Sequence, residues 1–365
     1  MNALAGDSEA LVAAELAAAE RVIRSGWWVL GGEVEAFEQE WAARVTGHGP
    51  THAVGVANGM DAIHLALTAL GVGAGDEVIT TSMTAFATVL AIIRAGAIPV
   101  LADIDAATAM LDPESVRRCL SPATKAVIVV HLYGQIGPIE ALAELCAANG
   151  LVLIEDCAQA HGAMVGDRSA GTFGAAAAWS FYPTKNLGAI GDGGAVTTSS
   201  ADVAVAVRVL RNYGQSVRYT HTELGLNSRL DELQAALLRV RLTQLDQWTA
   251  ARRATAQRYT AAIDNAAIEM LPLPVASERH VHHLFVVRTA RRTDLQQHLS
   301  SCGVDSLSHY PIPVHRQAPT ATVRCDPTGM VVTERHAEQC LSIPCHPYLT
   351  HSDVDQVIAA LNSFR

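Results

Sequence analysis

The sequence predicts an α/β protein, with a large domain built around a mostly parallel sheet and a smaller α+β domain behind it. Three observations predict this. Apolar runs of strand length alternate with amphipathic runs of helix length through most of the chain. The strand candidates lack a polar face, as expected for a sheet covered on both sides. The 365 residues, half of them apolar, exceed the commonest single-domain size and can bury a large core.

The elements follow in order. Apolar residues from Leu11 to Ile23 recur at helical spacing behind Asp7 and Ser8, either of which can cap, and Gly26 ends the segment. After WWVLGG, the stretch Ala62 to Leu70 reads as helix and stops at Gly71. EVITT is strand-like, Thr88 to Arg94 helical, and AIPVLADID strand-like again. KAVIVVHLYG, IEALAELCAANG and LVLIEDCAQ continue the strand, helix, strand rhythm. AAAAWSFY and GGAVTTSS add two β candidates, and Ala201 to Arg211 returns to helix. From Asp231 to Arg258 an amphipathic pattern predicts one extended helix or two abutting ones, a bridge between domains. Proline then rises at LPLPV and HYPIPV, around the strand candidate HLFVVR and helices near Leu295 and Val354. The large domain is placed at residues 1–245 and the small one at 246–365.

Composition excludes several classes. A formal net charge of -10, without any run of Lys and Arg, repels phosphate backbones and argues against nucleic acid. MNALAGDSEA lacks the basic start and apolar core of a signal peptide, and no apolar stretch is long enough to span a bilayer, so a cytoplasmic protein is expected. The seven cysteines are scattered without a Cys-x-x-Cys pair and read as reduced. His280, His282 and His283 lead into LFVV with no carboxylate or cysteine cluster nearby, and read as strand-edge residues; no metal is expected.

Three pieces carry chemistry. In WSFYPTKNLGAIGDGGAV, Lys185 stands in an uncharged loop among aromatic residues, a proline and glycines. Desolvation there disfavours the ammonium, and the neutral amine is the form that attacks an aldehyde. The alternative is a lysine whose head reaches solvent. In LVLIEDCAQ an apolar strand ends in Glu155 and Asp156, a carboxylate at the end where parallel sheets bind ligands. A fixed Asp⁻ keeps a pyridine nitrogen protonated, although Asp156 reads equally as a helix cap. In GVANGMDAIHLAL a strand, a turn at Gly59 and a helix start at Met60 offer N–H groups to an anion, with Ser180 adding a hydroxyl. Each piece alone is common. A phosphate site, a carboxylate for a ring nitrogen and a secluded lysine together are what pyridoxal phosphate requires.

These segments, with GDEVITTSMTAFAT, HLYGQ, EDCAQAHGA, RNYG, NSRLDELQAA and HYPIPVHRQ, resemble the DegT/DnrJ/EryC1/StrS family of sugar aminotransferases along nearly the whole chain. The resemblance implies the aspartate-aminotransferase-like fold type I with a seven-stranded large sheet. It implies that Lys185 carries pyridoxal 5'-phosphate as a Schiff base and moves protons, and that Asp156 pairs with the pyridine nitrogen. Gln159 would lie near the phenolic oxygen; Ser180 and the Gly59–Met60 turn would hold the phosphate, and Asn227 would reach it from a second subunit of a homodimer. His161, Tyr182, Arg229, Tyr310 and His315 sit in motifs that face substrate in relatives. Two departures stand out. Met60 replaces a Thr or Ser hydroxyl, leaving backbone contact alone, and Ala85 falls where a stacking aromatic is usual, so Phe86 or Met83 is left to cover the ring. The implied activity is transfer of an amino group from L-glutamate to the keto group of a nucleotide-linked, expected dTDP-linked, deoxysugar. Alternatives are a keto-cyclitol aminotransferase, the dehydratase branch, which has histidine in place of the lysine, and a regulator or scaffold without activity.

Overall fold

The computed structural model describes residues 8–49 and 51–365. Asp7 lies outside these; Ser8 caps helix α1 (Glu9–Ser25), its hydroxyl accepting from the Leu11 N–H, and Gly26 closes the helix with left-handed backbone. Helix α2 (Gly32–Arg44) has no side-chain cap of its own. The Glu232 carboxylate from a distant helix instead accepts the N–H groups of Gly31, Glu33 and Val34.

The large sheet contains β1 (His52–Val56), β2 (Glu77–Thr81), β3 (Ile98–Ala102), β4 (Thr124–Val130), β5 (Val152–Asp156), β6 (Ala176–Ser180) and β7 (Gly194–Thr198). Its order is β1, β7, β6, β5, β4, β2, β3, then Arg324–Cys325 from the C-terminal region. The sheet thus has eight strands rather than seven, because that late segment pairs parallel with the edge of β3. All pairings are parallel except those of β7 with its two neighbours. The chain fills positions outward from β2 to β3 and from β4 to β6. Its direction therefore reverses between β2 and β4, which opens a crevice at their carboxyl ends.

The strands are apolar along most of their length because both faces are covered. Ile79, Val127, Leu153 and Ala177 face one core with Phe37 and Trp41 of α2, whereas Val78, Ala126, Ile154 and Ala178 face another with helices α3 (Gly59–Ala69) and α4 (Phe86–Arg94). The pattern from Asp231 resolves into two helices, Glu232–Leu242 and Leu245–Ala262. A third core draws only on residues 256–364, around an antiparallel sheet of Glu269–Met270, Phe285–Arg288 and Cys340–Ile343. Among the described residues no helix is long and apolar enough to cross a membrane.

The alternation along β5 separates its two carboxylates. Glu155 follows Leu153 onto the α2 face, where it is fully buried and accepts from the amides of Gly171, Phe173 and Gly174. His131 Nδ1 accepts from the Gly137 N–H, so its Nε2–H donates to Glu155, 3.0 Å away. Burial alone would raise this carboxyl, but the bonds from His131 and the glycine amides outweigh it and hold its pKa below the usual value. Glu155, His131 and Cys157 lie close enough to hold a metal, yet the carboxylate is already saturated by donors. Glu155→Ala should cost about 3 kcal/mol or more in urea denaturation, since several buried donors lose their acceptor. The contribution of this carboxylate is present at neutral pH and should fade as pH falls through its lowered pKa. A loss under about 1 kcal/mol would contradict this account.

Candidate active site

Asp156, the last residue of β5, follows Ile154 onto the opposite face from Glu155 and is buried. Its Oδ2 accepts from the Thr88 hydroxyl of α4 at 2.8 Å, and its Oδ1 from the Ala158 N–H at 3.1 Å. Because Thr88 spends its proton on Asp156, the Thr84 hydroxyl, 2.9 Å away, donates to Thr88. The carboxylate is thereby fixed in place before any ligand binds.

Lys185 lies in the tight loop between β6 and β7, its N–H donating to the Tyr182 carbonyl at 2.8 Å. The residue keeps some accessible surface, but its amine is packed among protein atoms. Burial therefore pushes its pKa down to about 8 against the attraction of Asp156. The amine end is thus enclosed while the residue as a whole keeps some exposure. His161 is enclosed by Trp41, Trp179 and Phe181, with ring centroids 5.9, 5.5 and 5.8 Å away. It is fully buried on the α2 face, and burial, reinforced by the Lys185 charge, lowers its pKa to about 3. It stands within electrostatic reach of the lysine, enclosed by aromatic rings.

Ser180 ends β6 on the same face as Asp156, beside the start of α3. A Cβ at Gly59 would come within 2.6 Å of the Ser180 Cβ, so only glycine allows this approach. The Asn58 side chain accepts from the Asp61 N–H, and the first two amides of the helix, at Gly59 and Met60, precede any intrahelical acceptor. The Met60 side chain packs into the apolar core beneath, leaving backbone as its contribution. Phe86 packs with Val89, Leu101, Val314 and Met330, while Met83 is fully buried in a cluster with Tyr133 and Tyr310.

Gln159 is buried, and its Oε1 accepts from the Tyr133 N–H at 2.6 Å, which turns its amino group to the Tyr310 hydroxyl at 3.3 Å. Burial and the nearby Asp156 charge raise the Tyr310 phenol to about 12, so it stays protonated. His315 is engaged at both ring nitrogens, by Ser82 at 2.7 Å and Glu334 at 3.0 Å, and pins its loop to the end of β2. Asn227 is exposed, bridged by backbone to Asn212, and Arg229 bonds Asn212 and lies over the Tyr213 ring. The adjacent Ser228 accepts from the Ala57 N–H, which seats this segment against the Gly59 turn.

An opening of roughly 290 Å³ is lined by Tyr182, Thr184, His283, His309, Leu284 and Leu307, among others. His283 donates through Nδ1 to the Asn186 carbonyl oxygen, which leaves Nε2 as its acceptor, and burial with the Lys185 charge keeps it neutral. His280 and His282 stack at 3.8 Å, and no three-ligand cluster among the described residues includes either. A larger opening, about 640 Å³, lies near Trp27, Glu38, His52 and Arg211, and contains none of the residues above.

Residues 9–362 match the DegT/DnrJ/EryC1/StrS aminotransferase family. The chain belongs to that family. It is 45% identical over 349 residues to a dTDP-3-amino-3,4,6-trideoxy-alpha-D-glucose transaminase of Streptomyces venezuelae, covering 95% of this chain and 91% of that one. It is also 45% identical over 346 residues to the erythromycin biosynthesis sensory transduction protein EryC1 of Saccharopolyspora erythraea, covering 95% and 94%. The crystal structure of S. venezuelae DesV in complex with a ketimine intermediate superposes with a TM-score of 0.93 at 44% identity, covering 97% and 95%. This family member is thus a transaminase with the fold the motifs implied.

Sequence reasoning missed Thr88 and Thr84, which hold Asp156, and His309 and His283, which line the opening. The spacing of TAFAT at the start of a helix was the available signal for the threonines. Lys185 is one of only two lysines in the chain, with Lys125, so its titration can be followed alone. Competitive labelling of cofactor-free protein, read by mass spectrometry, should give Lys185 a midpoint near pH 8, the reactive neutral form growing as pH rises through that value. A midpoint in the ordinary lysine range would overturn the seclusion argument.

Proposed function

We propose that this protein transfers the amino group of L-glutamate to the keto carbon of a dTDP-linked deoxysugar, releasing 2-oxoglutarate, with Lys185 as the residue that carries pyridoxal phosphate. The observation that carries the reading is the Asp156 carboxylate, buried and fixed by Thr88, within electrostatic reach of Lys185, whose enclosed amine has its pKa pushed down to about 8 by burial. When bound, the cofactor supplies an electrophilic carbon and a ring that accepts electrons.

The residues present fit that group. Asp156 would hold a proton on the ring nitrogen, because its carboxylate is already aligned by two donors. The Gly59 and Met60 amides with the Ser180 hydroxyl would hold the phosphate, in a cradle that a Cβ at position 59 would fill. The Gln159 amino group would meet the phenolic oxygen. Lys185, once displaced by the incoming amine, would carry a proton between substrate carbon and cofactor carbon, acid and base catalysis worth roughly a hundredfold or more. His161 and the aromatic rings around it exclude water behind the lysine. Met83 or Phe86 would cover the ring face.

Tyr182, His309 and Tyr310 would meet the sugar, from the opening beside the lysine loop. His315 enters this reading as a pin for the loop that carries Tyr310. Asn227 and Arg229, on an accessible segment, would serve the site of a second subunit, so the active form is a homodimer. The relatives named for dTDP-aminosugar transamination support the nucleotide sugar over a cyclitol, and the lysine at position 185 speaks against the dehydratase branch.

Purified protein given pyridoxal phosphate should turn yellow, and borohydride reduction should place the adduct on the Lys185 peptide. Lys185→Ala should lose both the adduct and all turnover. L-Glutamate should bleach the colour and a dTDP-ketosugar should restore it; restoration by a ketocyclitol alone would reject the substrate assigned here.

A further inference from the structure

Tyr133 belongs to the turn after β4, at the mouth of the crevice, and has left-handed backbone with φ of 61° although it is not glycine. The side chain is 1% exposed, and each polar atom of the residue has a partner. Its N–H donates to Gln159 Oε1 at 2.6 Å. Its carbonyl accepts from the Leu284 N–H at 3.2 Å. Its hydroxyl lies 2.7 Å from the His309 carbonyl oxygen and 2.9 Å from His336 Nε2.

The order of protons in that last contact is determined. A carbonyl only accepts, so the Tyr133 hydrogen goes to His309. The hydroxyl oxygen then accepts from His336 Nε2–H, which agrees with His336 Nδ1 having no partner among the described residues. Gly134, at φ of 96°, completes the wedge: a Cβ there would lie 2.8 Å from the Gln159 carbonyl oxygen and 2.9 Å from His283 N. One residue thus touches the amide that turns towards Tyr310 and the carbonyl of the residue just before Tyr310. These two contacts join different parts of the chain, one from the segment after β5 and one from the C-terminal region.

We propose that Tyr133 is a positioning residue that locks the Gln159 amide to the His309–Tyr310 segment and so sets the ketosugar side of the site. The assignment rests on the transaminase reading above, through the role given to the opening beside His309. Tyr133 touches neither Lys185 nor Asp156 in the hydrogen-bond network, and its bond to Gln159 comes from backbone. Removing the hydroxyl should therefore release the segment while leaving the amine and carboxylate in place.

Tyr133→Phe tests this with two readouts. Hydrogen exchange of the peptide spanning residues 307–316, followed by mass spectrometry, should quicken several-fold while the β4 and β5 peptides stay unchanged. In single half-reactions, kcat/KM with the dTDP-ketosugar should fall about tenfold, chiefly through KM, and the L-glutamate half should stay within about twofold. His336→Ala, which removes the donor to the hydroxyl and a ring contact with Tyr133 but leaves the Tyr133–His309 bond, should move both readouts the same way by less. Unchanged exchange in both variants would overturn the proposal. So would an equal fall in both half-reactions with faster exchange across the whole chain, which marks a merely structural residue. If the parent protein turned over no ketosugar, the transaminase reading would fail instead, and the exchange measurement would still decide whether Tyr133 holds the segment.

Discussion

The site depends on the two-residue period of a strand. β5 ends in adjacent carboxylates, and side chains on a strand point alternately to opposite faces. Glu155 is consumed by backbone amides and His131 on one side, while Asp156 emerges on the other beside α4. A register slip of one residue would exchange them and present the saturated environment to the ligand. The parity of β6 agrees: Ser180 faces the Asp156 side and Trp179 and Phe181 the other, where they wall in His161. The lysine loop springs from the end of that strand, so the amine and the carboxylate are referred to one rigid frame.

On that frame the balance at the amine is between desolvation and a single opposite charge. Burial lowers the Lys185 pKa, Asp156 raises it, and burial prevails. Neighbouring histidines do not restore charge, because burial and the Lys185 charge lower the pKa of His161 and His283, and that of His309 to about 4. The pocket is therefore polar without being strongly cationic. Such an environment suits an amine that must lose its proton to react and regain it afterwards.

Much of this was legible in the sequence. The strand and helix rhythm marked the sheet, because doubly covered strands read as near-continuous apolar runs. Lys185 and Asp156 were legible because charged residues in apolar surroundings are rare enough to need a reason. What could not be read were contacts made across the chain. Thr88 meets Asp156 from 68 positions away, and Glu232 caps α2 from about 200. The ring contacts of His315 with Ser82 and Glu334, and of His161 with Trp41, are likewise made across the chain and left no mark in their motifs. The eighth strand was missed because Arg324–Cys325 is two residues long and has no periodicity to detect.

That short strand has a consequence for the history of each molecule. It covers the otherwise open edge of β3 with chain from far downstream, and Asp326 beside it is held by Arg118 and Ser115. During synthesis the β3 edge remains bare until Cys325 has left the ribosome, by which time the strands of the large sheet are already available to pair. Nascent chains thus pass through a period in which an unprotected strand can recruit a neighbour. Closing the sheet late, by a contact spanning more than two hundred residues, makes completion of the fold a slow, non-local event.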